Sequence, residues 1–348
     1  MTVASLMAVA AAGPTKTAAT AAAATTNAPL KLLHRFALPT DLKGHFDHFG
    51  VDAEGRRLFG TAVEDKKVVV FDFGRGKLIK EIAGVHEPRG VIYRRDLARL
   101  YVSDGGGALR VFDSNTFAPI KSFDISADAD PVAYDPGTQR LFVVNGGEKA
   151  HHEYSSVTAF DTAALTRVGE VRLTGIEIEG MTVESAGPRV FANNRDKNEI
   201  DIFDRRDFHS IGLWPLREVK RNTVSALDET NHRLFVAGHE GQLEIVNSDT
   251  GAELQTLPIG MGADDIAFDP KSRRIYVSAG GGQGSVDVFE QNDADHYSNL
   301  GRITTEPGAA VSRLLPEQGE YIVMAPRHAG KPAQVLVFAV APNHGADQ

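Results

Sequence analysis

The chain has 348 residues, of which 42% are hydrophobic and 24% are charged, so it can form a folded core and is not a disordered protein. Its formal net charge of -9 at pH 7 argues against binding to nucleic acid or to an anionic membrane surface, since both need a basic face. It contains no cysteine, which excludes disulfides, thiolate metal ligands and a cysteine nucleophile.

The first 29 residues are rich in alanine and threonine, with an apolar stretch from Val3 to Ala12 followed by Gly13 and Pro14. This stretch is too short to span a bilayer, but its length and small residues are typical of a secretory signal segment. No Lys or Arg precedes it, so either the true start lies upstream or this is a plain low-complexity leader. We expect residues 1–29 to be such a leader, the protein to be periplasmic or secreted, and the remaining chain to contain no membrane span.

A repeat of about 44 residues follows, marked by a pair of large apolar residues. Six residues before the first residue of each pair stands a column that is acidic in five of seven repeats, with Arg94 and Leu315 in the other two. The seven pairs are Leu58-Phe59, Leu100-Tyr101, Leu141-Phe142, Val190-Phe191, Leu234-Phe235, Ile275-Tyr276 and Tyr321-Ile322.

Each pair is followed by a second strand-like run, such as VVVFD ending at Asp72, and then by a weaker alternating run. Four strands in each of seven repeats predict an all-β fold, a seven-bladed β-propeller of four-stranded antiparallel blades. The last repeat lacks its fourth strand, and Lys31 to Pro39 can supply it by pairing with the last blade, which closes the ring. We therefore predict one propeller domain over residues 30–341 and a C-terminal tail over 342–348.

The repeat resembles that of the YVTN-repeat family of bacterial β-propellers, the YncE-like proteins. The runs PVAYDPGTQRLFVVN, from Pro131 to Asn145, and DDIAFDPKSRRIYVSAG, from Asp264 to Gly280, carry this resemblance. It implies an exported propeller, but the family has no single chemistry to carry over, because a fold does not fix a function.

One face of the predicted propeller gathers the variable loops. The turn between the first and second strands has the same length in all seven repeats, which indicates structural hairpins. The loop between the second and third strands varies and is longest in blades 3 and 7. Insertions on one face of a rigid scaffold are where binding sites are usually built. Seven histidines fall on this face: His45, His48, His86, His151, His152, His239 and His328.

Histidines with nearby carboxylates suit a divalent transition metal, namely Cu, Zn, Fe or Mn. We predict metal ligands among His45, His48, His86, His151 and His152. The alternative is that they are polar residues at a channel mouth, without a metal. Further ligand-binding residues are predicted on the same face: Asp47, Glu87, Arg89, Asn194, Arg195, His239 and His328.

The glycine runs after Asp104 and Ala279 lack the Lys-Ser/Thr and the helix of a phosphate loop, so no nucleotide cofactor is expected. Whether the protein is an enzyme stays open; a catalytic metal would support hydrolysis, lyase chemistry, or copper or iron redox chemistry. The competing hypothesis is a non-catalytic scaffold that binds a protein or cell-envelope component through the same loops. We expect a monomer whose partner is a small molecule or such an envelope ligand.

Overall fold

The computed structural model describes residues 28–342, and these residues form seven four-stranded antiparallel sheets. The innermost strand of each sheet contacts the innermost strands of its two neighbours, which confirms the seven-bladed β-propeller. The predicted leader and tail lie almost entirely outside the described residues.

The strands are numbered along the chain, and within each blade they run from the channel outward. The first, β1 (Leu30–Ala37), is the outer strand of blade 7. Blade 1 contains β2 (Phe46–Asp52), β3 (Arg57–Ala62), β4 (Lys67–Asp72) and β5 (Lys77–Ile82). Blade 2 contains β6 (Pro88–Arg94), β7 (Arg99–Asp104), β8 (Ala108–Asp113) and β9 (Pro119–Asp124). Blade 3 contains β10 (Val132–Asp135), β11 (Arg140–Gly146), β12 (Ser155–Asp161) and β13 (Thr166–Arg172).

The remaining blades follow the same order. Blade 4 contains β14 (Ile178–Val183), β15 (Arg189–Asn194), β16 (Glu199–Asp204) and β17 (Ser210–Pro215). Blade 5 contains β18 (Asn222–Asp228), β19 (Arg233–Gly238), β20 (Gln242–Asn247) and β21 (Glu253–Pro258). Blade 6 contains β22 (Ala263–Asp269), β23 (Arg274–Ala279), β24 (Ser285–Asp293) and β25 (His296–Thr304). Blade 7 contains β26 (Val311–Leu315), β27 (Glu320–Ala325) and β28 (Gln334–Val340), then β1.

Apolar cores lie between neighbouring blades, and the recurrent residue pairs form them. Adjacent residues of a strand point to opposite faces of its sheet. Leu58 therefore packs toward blade 7 and Phe59 toward blade 2, and both are fully buried. Ile322 of blade 7 packs in the same cluster as Leu58 and completes the circle. Truncating such an aromatic residue to Ala costs about 3–5 kcal/mol, so each repeat needs its pair.

The acidic column closes the turns between the first and second strands. Asp52 accepts a hydrogen bond from the Gly55 N–H at 3.0 Å, as is typical of turns that aspartate stabilises. In blade 7 Leu315 cannot accept such a bond, and a short 3₁₀ helix (Pro316–Gln318) takes the turn's place. It ends at Gly319 with φ 60°, a left-handed conformation that glycine adopts without strain. This face is therefore built of structural turns.

Strand β1 pairs antiparallel with β28 along its whole length, which confirms that the N-terminal strand closes the ring. It ends two residues earlier than predicted, at Ala37, because Pro39 has no N–H to donate to a ladder. The Arg35 side chain lies 2.5 Å from Glu306 and 2.6 Å from Gln334. The Glu306 contact fastens the closing strand to the loop that enters blade 7, and the Gln334 contact fastens it to β28.

Candidate ligand-binding site at the channel mouth

A cavity of about 800 Å³ opens at one mouth of the axial channel. It is lined by loops that enter the innermost strands and by loops between the second and third strands, so it lies on the face that carries most of the histidines. Its volume is within the range of about 300–1,000 Å³ for small-molecule sites. A second chamber of about 420 Å³ lies along the channel, and His48 and Glu179 line both.

Each blade contributes to this cavity a residue at or just before the start of its innermost strand, and all seven residues occupy the same position of the repeat. That position lies five residues before the column that begins each turn, so in blade 1 it is Asp47, five residues before Asp52. Equal spacing from equivalent turns places these side chains at one level of the channel wall. We call them the axial ring: Asp47, Arg89, Asp130, Glu179, Thr223, Asp264 and Ala310.

His48 follows the ring residue of blade 1 and reaches blade 6. Its Nε2 lies 3.8 Å from Oδ1 of Asp47, and its Nδ1 lies 3.8 Å from Oδ2 of Asp265. The ring residue of the intervening blade 7 is Ala310, whose side chain is small. Burial alone would lower the pKa of His48, but the contact with Asp265 and the charges of Asp47 and Asp264 raise it well above 6.5. The imidazole is therefore a cation at neutral pH.

Arg89 is fixed by carboxylates on both sides. Its Nη1 donates to Oδ2 of Asp47 at 3.1 Å, and its Nη2 donates to Glu87. Lys149 also reaches Glu87, at 3.2 Å. Burial alone would lower the pKa of Arg89, but the carboxylates of Asp130, Asp47 and Glu87 raise it, so the charge is permanent. Glu87 thus orients Arg89 without lining the cavity itself.

Arg195 and His239 hold equivalent places in blades 4 and 5. The Arg195 amide donates to the Glu177 carbonyl at 2.9 Å, and the His239 amide donates to the Arg221 carbonyl at 3.0 Å. The Arg195 guanidinium lies 2.5 Å from Oε1 of Glu179. Burial and the charges of Arg195 and Arg221 lower the pKa of His239, so this imidazole is neutral at pH 7. His48 and His239, which both line the cavity, thus differ in charge at pH 7.

Two ring carboxyls hold their protons more tightly than usual. Burial, followed by the charge of Asp47, raises the pKa of Asp130 well above its ordinary value, although His48 and Arg89 oppose this. Burial likewise raises the pKa of Asp264 to about 7, with the charges of Asp47 and Glu179 adding to the effect. Both shifts reflect the neighbouring carboxyl groups in the inner part of the site, in addition to burial.

Blades 5 to 7 form a contrasting sector whose wall is mostly bare backbone. Gly262, residues 280–282 and Gly308 line it. The Gly280 amide donates to the Gly262 carbonyl at 2.9 Å, and the Gly308 amide donates to the Gly280 carbonyl at 2.8 Å. A Cβ on Gly281 would lie 2.4 Å from the Met261 carbonyl oxygen, so glycine is needed there. Met261 itself is 64% exposed and lines the cavity.

Half of the predicted site residues meet in this cavity. His45 lies exposed at its rim, and His48 lies deeper, at the axial ring. The predicted residues that line the cavity are His45, Asp47, His48, Arg89, Arg195 and His239.

The other predicted residues lie elsewhere. The His86 side chain is 72% exposed, with its Nδ1 3.0 Å from Nη2 of Arg110. His151 and His152 are exposed in the long loop of blade 3. Asn194 is fully buried and His328 is exposed in the loop of blade 7.

The five predicted metal-ligand histidines do not form one three-ligand group. Within residues 28–342, three metal-ligating side chains come within 4.8 Å of one another only at Asp204, Asp207 and His209. That group lies in a turn on the opposite face, where the Asp204 carboxylate already accepts the Arg206 amide at 2.7 Å. The prediction of a transition metal stays a prediction. Of the five histidines predicted as its ligands, His45 and His48 line the cavity.

The predicted ligand residues omit most of the axial ring, namely Asp130, Glu179, Thr223, Asp264 and Ala310. The sequence does contain a pattern that identifies these residues, because each lies five residues before the repeat column. Histidine content alone does not find them. Counting from the column to the position that faces the channel identifies all seven.

Comparisons with known proteins support the fold. A chain of the mitotic checkpoint complex superposes with a TM-score of 0.74 at 14% identity, covering 98% of this chain and 99% of that one. Hydrazine synthase of Kuenenia stuttgartiensis superposes with a TM-score of 0.72 at 16% identity, covering 87% and 97%. At such identities the likeness shows the propeller fold alone. No family model and no curated protein sequence matches the chain.

No helix among the described residues is both long and apolar enough to cross a membrane. The class of protein that fold and cavity define is thus a seven-bladed β-propeller with a charged pocket at one mouth of its channel.

Proposed function

We propose that the protein is a binding protein that holds a small ligand in the channel-mouth cavity. The observation that carries this proposal is a set of buried polar atoms with no partner among the described residues: Nε of Arg89, Nε of Arg195 and Oδ1 of Asp130. All three belong to residues that line the cavity. An unpaired buried polar atom costs about 1–3 kcal/mol, so a purely structural ring would be expected to pair them. A bound ligand can supply the missing partners.

A thermal-shift screen tests this proposal. The protein is heated with separate sets of small amines, carboxylates, amino acids, phosphates and divalent metals. We expect at least one set to raise the midpoint of unfolding, since a ligand that binds only the folded state stabilises it by mass action.

The variant Ala310→Leu locates the binding. The larger side chain enters the cavity without changing its charge, so we expect the affinity for any stabilising ligand to fall by about tenfold or more. Ala133→Leu is the matched control, because Ala133 lines the second chamber and not this cavity. Equal affinities in both variants would place the ligand outside the channel-mouth cavity.

The predicted metal has its own test. His48 offers one imidazole between Asp47 and Asp265, at 3.8 Å from a carboxylate oxygen of each. Elemental analysis of the untagged protein and of His48→Gln measures the metal content, with His209→Gln as a control on the opposite face. Stoichiometric metal that disappears only in His48→Gln supports a metal here, and with it the hydrolytic, lyase or redox chemistry that a metal allows. A metal-free protein contradicts this form of the proposal.

We also propose that the protein is exported, as a member of the YVTN-repeat (YncE-like) family. The apolar leader and the repeat sequence support this, and neither depends on the cavity. Fractionation of a Gram-negative host that expresses the full chain tests it. We expect the protein in the periplasm or medium with residues near the leader's Gly13-Pro14 at its new N-terminus. Full-length protein in the cytoplasm contradicts export.

A further inference from the structure

The inner part of the cavity contains more carboxyl groups than cations. Five carboxyl groups belong to the axial ring and its next layer: Asp47, Asp130, Glu179, Asp264 and Asp265. Three basic side chains face them: Arg89, Arg195 and His48. Each lies within 4 Å of one of these carboxyl groups, and two of the five carboxyl groups form no such pair among the described residues. The rim adds Lys43, Arg327 and Glu64, but these are exposed and screened by solvent.

The existing pairs identify which carboxyl groups lack a partner. Asp47 lies 3.1 Å from Arg89, Glu179 lies 2.5 Å from Arg195, and Asp265 lies 3.8 Å from His48. These pairs leave Asp130 and Asp264. Oδ1 of Asp130 is buried with no hydrogen-bond partner among the described residues, which is an independent sign that a ligand group is missing beside it.

Asp130 and Asp264 lie on opposite sides of the axial ring. Asp130 belongs to blade 3 and Asp264 to blade 6, so three blade steps separate them in one direction and four in the other. A single ion cannot neutralise both at short range. An elongated molecule with a positive charge at each end can.

The cavity is also larger than a metal ion needs. It measures about 800 Å³, and its ring carboxyls do not form a three-ligand group within 4.8 Å. The bare backbone of Gly262 and Gly308, with the exposed Met261 beside it, offers a surface for an apolar body. The site thus combines two separated carboxyl groups without an ion-pair partner with a bare backbone surface beside Asp264.

Resting on the proposed function, we propose that the ligand is an organic dication, a short-chain diamine, with one ammonium group at Asp130 and the other at Asp264. Each ammonium group supplies a counter-charge to one carboxyl group, and the carbon chain crosses the ring between them, with the glycine backbone beside its Asp264 end.

Isothermal titration calorimetry at pH 7.5 and low salt tests this with putrescine and cadaverine against n-butylamine. We expect the better diamine to bind at least about tenfold more tightly than the monoamine, since only the diamine meets both carboxyl groups. In the double variant Asp130→Asn/Asp264→Asn this preference should disappear, because the amides keep the shape and cannot ionise to pair with an ammonium group. Asp207→Asn/Glu317→Gln is the matched control, since it removes two exposed carboxylates from the opposite face.

Circular dichroism and thermal unfolding of each variant show whether the propeller is intact, and the single variants Asp130→Asn and Asp264→Asn give the same test if the double variant does not fold. Each single variant should lose part of the diamine preference. Equal affinity for diamine and monoamine, an unchanged preference in the double variant, or a stoichiometric divalent metal that excludes diamines overturns the proposal.

A ligand that binds the parent protein and not Ala310→Leu, while diamines do not bind, keeps the cavity as a binding site and rejects the dication. Binding of every tested ligand equally well to Ala310→Leu rejects both.

Discussion

At the scale of single residues, His48 links two blades through charge. Replacing it by Gln leaves Asp47 and Asp265 facing each other without the imidazolium, so we expect the free energy of unfolding to fall by about 1–3 kcal/mol at pH 6. Because the folded pKa of His48 lies above its ordinary value of 6.5, this stabilisation is full below pH 6.5 and is lost as pH rises through the folded pKa. Urea unfolding of both proteins across this range measures it.

The control for His48 is the exposed His45, whose replacement by Gln should change stability by less than about 0.5 kcal/mol. A difference between parent and His48→Gln that grows with increasing pH would contradict a cationic His48.

Glu244, which does not line the cavity, provides a second pH effect. Its side chain is nearly fully buried, and it accepts a hydrogen bond from Thr256 at 2.5 Å. Burial raises its pKa from 4.5 to about 7, with Glu253 adding to the effect. A carboxyl group with a raised pKa stabilises the fold at low pH, and this stabilisation is lost as pH rises from about 4.5 to 7.

We therefore expect Glu244→Gln to match the parent near pH 4 and to exceed its stability by about 1–3 kcal/mol at pH 8. Glutamine keeps an acceptor for Thr256 and removes the ionisation. Chemical denaturation at several pH values measures the difference, and the exposed Glu317→Gln should show no such pH dependence. Equal stability of Glu244→Gln and parent at pH 8 would mean that Glu244 is ionised without penalty.

At the scale of elements, the closing strand β1 is the only part of blade 7 that comes from the start of the propeller sequence. A cross-link tests how far this closure limits stability. Lys31 lies opposite Ala339 in the β1–β28 register, and the chain contains no other cysteine to interfere. The disulfide in Lys31→Cys/Ala339→Cys closes a loop that contains nearly the whole propeller.

We expect oxidised Lys31→Cys/Ala339→Cys to unfold at higher denaturant concentration than its reduced form, with a gain of about 2–5 kcal/mol. The reduced form is the control, because it carries the same two substitutions. Identical midpoints for the two forms would show that unfolding does not begin by release of β1.

The elements also show what the sequence could and could not predict. Pairs such as Leu58-Phe59 predicted the second strands, because one residue of each pair must face each neighbouring blade. The closing strand followed from the missing fourth strand of blade 7. The bond between Glu87 and Arg89 and the approach of His48 to Asp265 depend on side-chain conformations across loops and blades, which a repeat pattern does not contain.

Predictions based on residue type were weaker than those based on repeat position. His86 was predicted together with His45 and His48 because all three fall on the same face, yet its side chain is 72% exposed and contacts Arg110 and Asp104. Arg89 lines the cavity because it occupies the ring position of its blade. The repeat fixes which positions face the channel, whereas histidine content does not.

At the scale of the whole molecule, the described ring is complete from β1 to β28. We expect a variant that begins at residue 28 to keep the parent's midpoint of thermal unfolding within about 2 °C, since the inter-blade cores lie between residues 30 and 340. Differential scanning calorimetry of the two proteins checks this. A large fall in the midpoint would assign the leader a role in the fold.

The axial ring also has a consequence for evolution and engineering. Each blade contributes one residue to the ring around the channel, and in blade order these residues are Asp, Arg, Asp, Glu, Thr, Asp and Ala. The strands that carry these ring residues are held in place by the buried apolar pairs between blades. A ring residue can therefore be substituted without changing the inter-blade cores. A few substitutions at these seven positions therefore suffice to change the charge and shape of the cavity, and with them the class of ligand that it binds.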